Sequence, residues 1–156
     1  MPCAMPADRA FPLCKPTHTG TACVTLVGDT WAVREGLARL FALPPLCDLS
    51  ADGRGTAEIV LAEALNNIVE HAYAHHGGQI EVALSLTPPD LLCQISDRGL
   101  PLPDLCLPSG VLTPLEQLSD LPEGGFGWYL IRTLARDLDY RRDAGRNLLS
   151  FRLNAT

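Results

Sequence analysis

The segment LAEALNNIVEHAY, Leu61 to Tyr73, restricts the fold more than any other stretch of the chain. Leu61, Leu65, Ile68 and Ala72 form one apolar row at helical spacing, and Ile59, Ala62, Val69 and Tyr73 form a second. A helix apolar along two rows must bury most of its circumference against other elements. The pattern predicts one long helix from about Thr56 to His75, ended by Gly77 and Gly78. Glu63, Asn67 and His71 interrupt it at intervals of four. Each such step turns only about 40° around the axis, so the three polar groups share one stripe. A stripe of this kind on an arbitrary helix usually faces solvent, here with Glu70 beside it. Against that reading, Asn66 and Asn67 place two mediocre helix formers in succession within an otherwise strongly helical segment. A carboxamide beside a carboxylate suits a hard, oxygen-ligated cation such as magnesium that keeps several waters.

The rest of the chain supplies what could enclose this helix. TACVTLV, Thr21 to Val27, is β-branched and apolar and reads as a strand. Asp29 or Thr30 can cap a helix to about Ala42, which Pro44 and Pro45 stop; the segment to Gly55 reads as a loop. QIEVALSLT, Gln79 to Thr87, and LLCQIS, ending at Asp97, form a hairpin through Pro88, Pro89 and Asp90. Residues 99–125 hold five prolines and four glycines and predict a long loop with one helical turn around Leu115 to Leu118. A helix from Phe126 to about Asp137 follows, then strands Leu138 to Arg142 and Leu148 to Leu153 around an Asp143 to Asn147 turn. The order strand, helix, helix, hairpin, helix, hairpin predicts an α+β layer, a mainly antiparallel sheet covered on one face by three helices. At 156 residues the chain is expected to hold one domain, residues 21–156, preceded by an irregular, proline-punctuated arm, residues 1–20.

Charge and composition exclude several functions. A formal net charge of −6 leaves no basic face for phosphate-backbone attraction, so nucleic acid is not an expected partner. No apolar run approaches the roughly 20 residues of a membrane span, and no signal core follows a charged N-terminus. A cytoplasmic protein without membrane contact is expected. The six cysteines show no zinc-ligand spacing and read as reduced thiols. Lys15 is the only lysine and precedes Pro16, which rules out a Walker-type phosphate loop.

Two further motifs carry chemistry. Ser96-Asp97-Arg98-Gly99 ends an apolar strand with a carboxylate able to accept a hydrogen bond from an exocyclic amino group, and Gly99 lets a ring approach the backbone. Alone, this is an ordinary strand-to-turn signature. Glu123-Gly124-Gly125-Phe126-Gly127 opens a helix with bare amides at its positive end, a seat for phosphate oxygens that is also common in isolation.

Order and spacing together say more. A helical E-x-x-x-N-x-x-x-H, a D-x-G at a strand end, a long proline-rich loop and G-G-x-G at a helix start resemble the Bergerat-fold ATPases of the GHKL superfamily. HAY after the asparagine, and EGGFGWYLI at the glycine box, resemble the anti-sigma-factor serine/threonine kinases of bacterial partner-switching systems. The resemblance covers about Thr21 to Leu153. It implies Mg-ATP as cosubstrate, Glu63 as general base, and Asn67 as ligand to Mg2+ bridging to the phosphates. It implies Asp97 as acceptor for the adenine amino group with Gly99 beside the ring, and Gly124, Gly125 and Gly127 around the phosphates under a lid of residues 100–123. Ser150 would lie near adenine, and His71 would either face the nucleotide or cap the stripe.

The implied partners are a small STAS-type anti-sigma-factor antagonist as substrate and a sigma factor or other effector held in a second complex, with the chain in a homodimer or a heteromeric complex. The chain departs from the family at Leu100-Pro101, where many relatives carry a further glycine, and at Glu123, where some carry a basic residue. With no lysine near, magnesium, amides and an arginine would have to neutralise the phosphates. At 156 residues neither the phosphoacceptor hairpin of a sensor histidine kinase nor the transducer domain of repair or chaperone ATPases is expected. The alternative is a kinase-inactive, nucleotide-binding sequestering module of the same fold, against which Glu63 argues.

Overall fold

The computed structural model describes residues 20–74, 76–112 and 126–156. Five antiparallel strands lie in the order β1-β2-β3-β5-β4, with β1 Thr21–Val27, β2 Gln79–Thr87, β3 Asp90–Asp97, β4 Arg136–Asp143 and β5 Arg146–Asn154. Three helices pack on the sheet, α1 Thr30–Phe41, α2 Ala51–Asn67 and α3 Phe126–Leu134, with α2 between the other two. This is the expected α+β layer.

Strand alternation decides which face is covered. Ile80, Val82 and Leu84 on β2, Leu91, Cys93 and Ile95 on β3, and Leu149, Phe151 and Leu153 on β5 are buried and stand in register across the sheet. They meet Ala57, Val60, Leu61, Ala64 and Leu65 of α2, so the row begun by Leu61 and Leu65 is enclosed. The second predicted row is not: Ile59 is exposed and Ala62, Val69 and Tyr73 are half-buried, because Ala57, Val60 and Ala64 take the sheet-facing positions instead. Burying a leucine-sized side chain is worth roughly 1.5–3 kcal/mol, and this seam contributes most of the core. Glu81, Ser85, Gln94 and Ser150 alternate onto the opposite face.

Several boundaries differ from expectation. The α1 cap does not: of the two expected residues Asp29 supplies it, its carboxylate accepting from Ala32 N–H at 2.8 Å. Helix α2 begins at Ala51 rather than near Thr56, because Ser50 Oγ accepts from Gly53 N–H at 3.0 Å and turns a glycine-containing stretch into a capped first turn. Beyond Asn67 the helix widens into π geometry over Ile68–Ala72, closed by Tyr73 N–H donating to the Ile68 carbonyl at 2.9 Å. Helix α3 stops at Leu134 and β4 starts two residues earlier than predicted. The left-handed Asp137, φ 52°, and a register shift between Arg136 and Asp139 accommodate the change. The β4–β5 turn tightens to Ala144-Gly145, with φ of 47° and 77°, the positive pair that suits a two-residue hairpin.

Cys23 is disulfide-bonded, which corrects the reading of all six cysteines as reduced. It sits exposed on β1. Cys47 and Cys93 are free thiols. No helix of the described residues is long and apolar enough to cross a membrane. The turn expected around Leu115 to Leu118 lies outside the described residues.

Candidate functional site

The polar stripe of α2 faces the start of α3. Gly127 sits so close to it that an added Cβ would lie 2.6 Å from Glu63 Oε2 and 3.7 Å from Asn67 Nδ2. Only a residue without a side chain leaves the Glu63 carboxylate in place there. Asn67 Nδ2 is buried with no hydrogen-bond partner, the one such side-chain atom among the described residues. An orphaned buried amide costs roughly 1–3 kcal/mol, an arrangement that suits a ligand site better than a packing site. Turning the carboxamide about its last bond presents oxygen in place of nitrogen. A single amide oxygen fits a cation that takes its other ligands from water and phosphate, and no cluster of three or more His, Cys, Asp or Glu able to hold a metal occurs among the described residues.

One turn further, a cavity of about 390 Å³ opens between the C-terminal part of α2 and the ends of β3, β4 and β5. Asn67, His71, Asp97, Tyr140 and Asn147 give it polar groups, and Pro101, Pro103, Pro108 and Trp128 give it an apolar wall. A mostly apolar cleft with a few convergent polar groups is the usual form of a small-molecule site. The wall is pinned to α3 by Arg132, whose Nε donates to the Pro108 carbonyl at 2.7 Å.

The polar end of the cavity is built by strand register. Asp97 pairs with Asn147, and Asn147 with Arg142, across β3, β5 and β4. Asp97 Oδ1 accepts from Asn147 Nδ2 at 2.8 Å and from Gly99 N–H at 2.8 Å. Gly99 passes so close to the end of α2 that a Cβ would lie 2.4 Å from the Ala72 carbonyl oxygen, and Leu100 N–H donates to that oxygen at 2.9 Å. Burial pushes the Asp97 carboxyl above the usual carboxylate range, against the Asn147 amide, the Gly99 N–H and the Arg142 guanidinium, which favour the charged form.

The sequence-derived residues thus fall into three groups. Asn67, His71 and Asp97 line one cavity; Gly99 borders Asp97; Glu63 and Gly127 meet just beyond, against Asn67. Gly124 and Gly125 lie outside the described residues. Ser150 does not reach the cleft. It stands between Gln94 and Asp139 with its side chain on the other face of β5, because strand residues alternate and Leu149 and Phe151 take the helix-facing positions. The residue of β5 that does face the cavity is Asn147. Its place was legible in the period-two run Asn147, Leu149, Phe151, Leu153, whose first member continues the buried face. Tyr140, Arg142 and Trp128 also escaped sequence reading.

A layered α+β fold with a carboxylate, a carboxamide and a glycine meeting at a helix start, beside an apolar cleft ending in a buried aspartate, defines a nucleotide-site class. Residues 30–153 match the family described as histidine kinase-like ATPase domain, and the chain belongs to that family. Among curated relatives, the serine-protein kinase RsbW of Bacillus mycoides (strain KBAB4) is 34% identical over 97 residues, covering 59% of this chain and 59% of that protein. RsbW of Bacillus anthracis (strain A0248) matches to the same extent, 34% over 97 residues. The chain therefore spans 59% of the length of the relatives it matches. Among solved structures, the Acinetobacter baumannii histidine kinase AdeS superposes with a TM-score of 0.45 at 14% identity, over 85% of this chain and 68% of that one.

Proposed function

We propose that the chain is a serine/threonine protein kinase that uses Mg-ATP to phosphorylate a small STAS-type anti-sigma-factor antagonist, and that it sequesters a sigma factor or another effector in a competing complex. The observation that carries this reading is the contact of Glu63 and Asn67 with Gly127, in a family where similar proteins are named serine-protein kinases. A pure binding module has no use for a carboxylate held against the glycine at the start of α3.

In this reading the adenine amino group donates to Asp97, and the triphosphate runs along α2 toward Glu63. Asn67 would hold the magnesium ion, which would supply charge neutralisation at the phosphate oxygens. Glu63 orients the attacking hydroxyl. As the hydroxyl oxygen bonds to the γ-phosphorus, the bond to the bridging oxygen breaks, the proton passes to Glu63 and ADP departs. The phosphate on the antagonist then disfavours its complex by charge and desolvation, freeing this chain for its effector. A second copy of the chain belongs to the same reading; exposed Val27 and Trp31 at the β1–α1 corner offer apolar surface for a protein contact.

The test is phosphotransfer from labelled ATP to a STAS-type antagonist. Transfer by the parent protein, reduced about 10²–10⁴-fold in Glu63→Ala, supports a kinase. Tight ATP binding without transfer by the parent leaves the sequestering module instead.

A further inference from the structure

Asn147 is 4% exposed, and every polar atom of its side chain is engaged. Its Oδ1 accepts from Arg142 Nη1 at 2.6 Å and from the Tyr140 hydroxyl at 2.7 Å. Its Nδ2 donates to Asp97 Oδ1 at 2.8 Å and to the Leu100 carbonyl at 3.0 Å. The direction of this network follows from donor chemistry. A guanidinium can only donate, so the oxygen end of the amide must face Arg142 and the NH₂ end must face Asp97. Tyr140 already accepts Leu102 N–H at 3.0 Å, which leaves its own proton for Asn147.

The consequence falls on Asp97. With Gly99 N–H also on Oδ1, that oxygen holds two donors, while Oδ2 accepts none from the described residues. The carboxylate is locked about its last bond with one oxygen left to receive a ligand's donor. We propose that Asn147, oriented by Arg142 and Tyr140, is the positioning residue that makes this site select an amino-bearing purine: it fixes Asp97 as an acceptor with a single free oxygen. The proposal deepens the nucleotide reading above and rests on it.

A plain structural role is the rival account, since Asn147 also ties down the 99–102 strap. The two differ in what they do to base discrimination. Loosening the strap weakens every nucleotide alike; releasing Asp97 erases the advantage of the amino group. Calorimetric titration of the full chain in magnesium with ATP, and with purine riboside triphosphate, which lacks the 6-amino group, separates them. The parent is expected to favour ATP by about tenfold or more, the scale of one hydrogen bond to a charged acceptor. Asn147→Leu, close in volume, is expected to bring the two affinities within about threefold of each other. Tyr140→Phe, which removes one hydroxyl, is expected to give an intermediate ratio and serves if the leucine variant does not fold. A parent-like ratio in the variants that fold overturns the proposal, and so does an equal loss for both nucleotides. A parent that binds ATP without preferring it refutes the Asp97 contact and this inference while leaving the kinase reading standing. A parent that binds neither nucleotide overturns both.

Discussion

Asn147 stands directly across from Asp97 between β5 and β3, and its amide donates to the aspartate over 2.8 Å. The pair continues two buried apolar columns, Leu153-Phe151-Leu149 on one strand and Leu91-Cys93-Ile95 on the other, at the point where the core gives way to the cleft. The same alternation that packs α2 onto the sheet therefore delivers the polar end of the site.

Asp97→Asn separates stability from recognition. Because burial raises its folded-state pKa above the unfolded value, Asp97 favours the fold most when protonated, below the unfolded pKa, and that contribution is lost as pH rises through the folded value. At neutral pH the carboxylate is a net cost. An asparagine keeps an oxygen for Asn147 and carries no charge. Calorimetric melts should show Asp97→Asn at or above the parent Tm at neutral pH, with the gap closing toward a pH of about 4, while the ATP-to-GTP preference collapses. A parent-like preference would contradict the assignment.

Gly127→Ala tests the contact with Glu63. The new methyl group would press on Glu63 Oε2, the mobile end of a side chain, so the carboxylate yields and the fold survives. Displacing it by about 1 Å is expected to slow phosphotransfer about 10²-fold. Nucleotide affinity, measured alongside, should change much less; an equal fall in both would place Gly127 in binding instead.

Asn67→Ala removes a buried amide that lacks a partner, so thermal stability should hold or rise slightly. Magnesium-dependent ATP affinity should fall several-fold, as seen by titration with and without the metal. Unchanged affinity in magnesium would take Asn67 out of the metal shell.

Tyr73→Phe probes the joint behind the cleft. The hydroxyl donates to the Gln79 carbonyl at 2.7 Å and accepts Arg98 N–H at 2.9 Å, tying the end of the helix to the start of β2 and the end of β3. Its loss should cost about 1–2 kcal/mol in denaturant unfolding. A difference near zero would mean that water replaces both bonds.

Much of this was legible from residue order. Glu63 and Asn67 one turn apart, the strand Gln79–Thr87 and the apolar hairpin ending at Asp97 are local patterns, and they appear where their periods put them, whereas His71 falls in the π-helical turn that no period announced. The reading failed where a short-range signal was outweighed. Gly53 and Gly55 suggested a loop, yet the Ser50 cap draws both into α2. Ser150 was placed near adenine only by the resemblance, on the last strand, and alternation turns it away from the cleft.

Residue periodicity and cap chemistry, which act over a few positions, were enough to determine most of the elements, the buried row of Leu61, Leu65 and Ile68, and the carboxylate and carboxamide one helical turn apart. Which of those groups meet was decided only by tertiary structure. Asp97 and Asn147 are 50 residues apart in sequence, and Gly127 reaches Glu63 from a helix more than sixty residues on. Such contacts depend on cross-strand register and on how closely two backbones approach, and no local period encodes either.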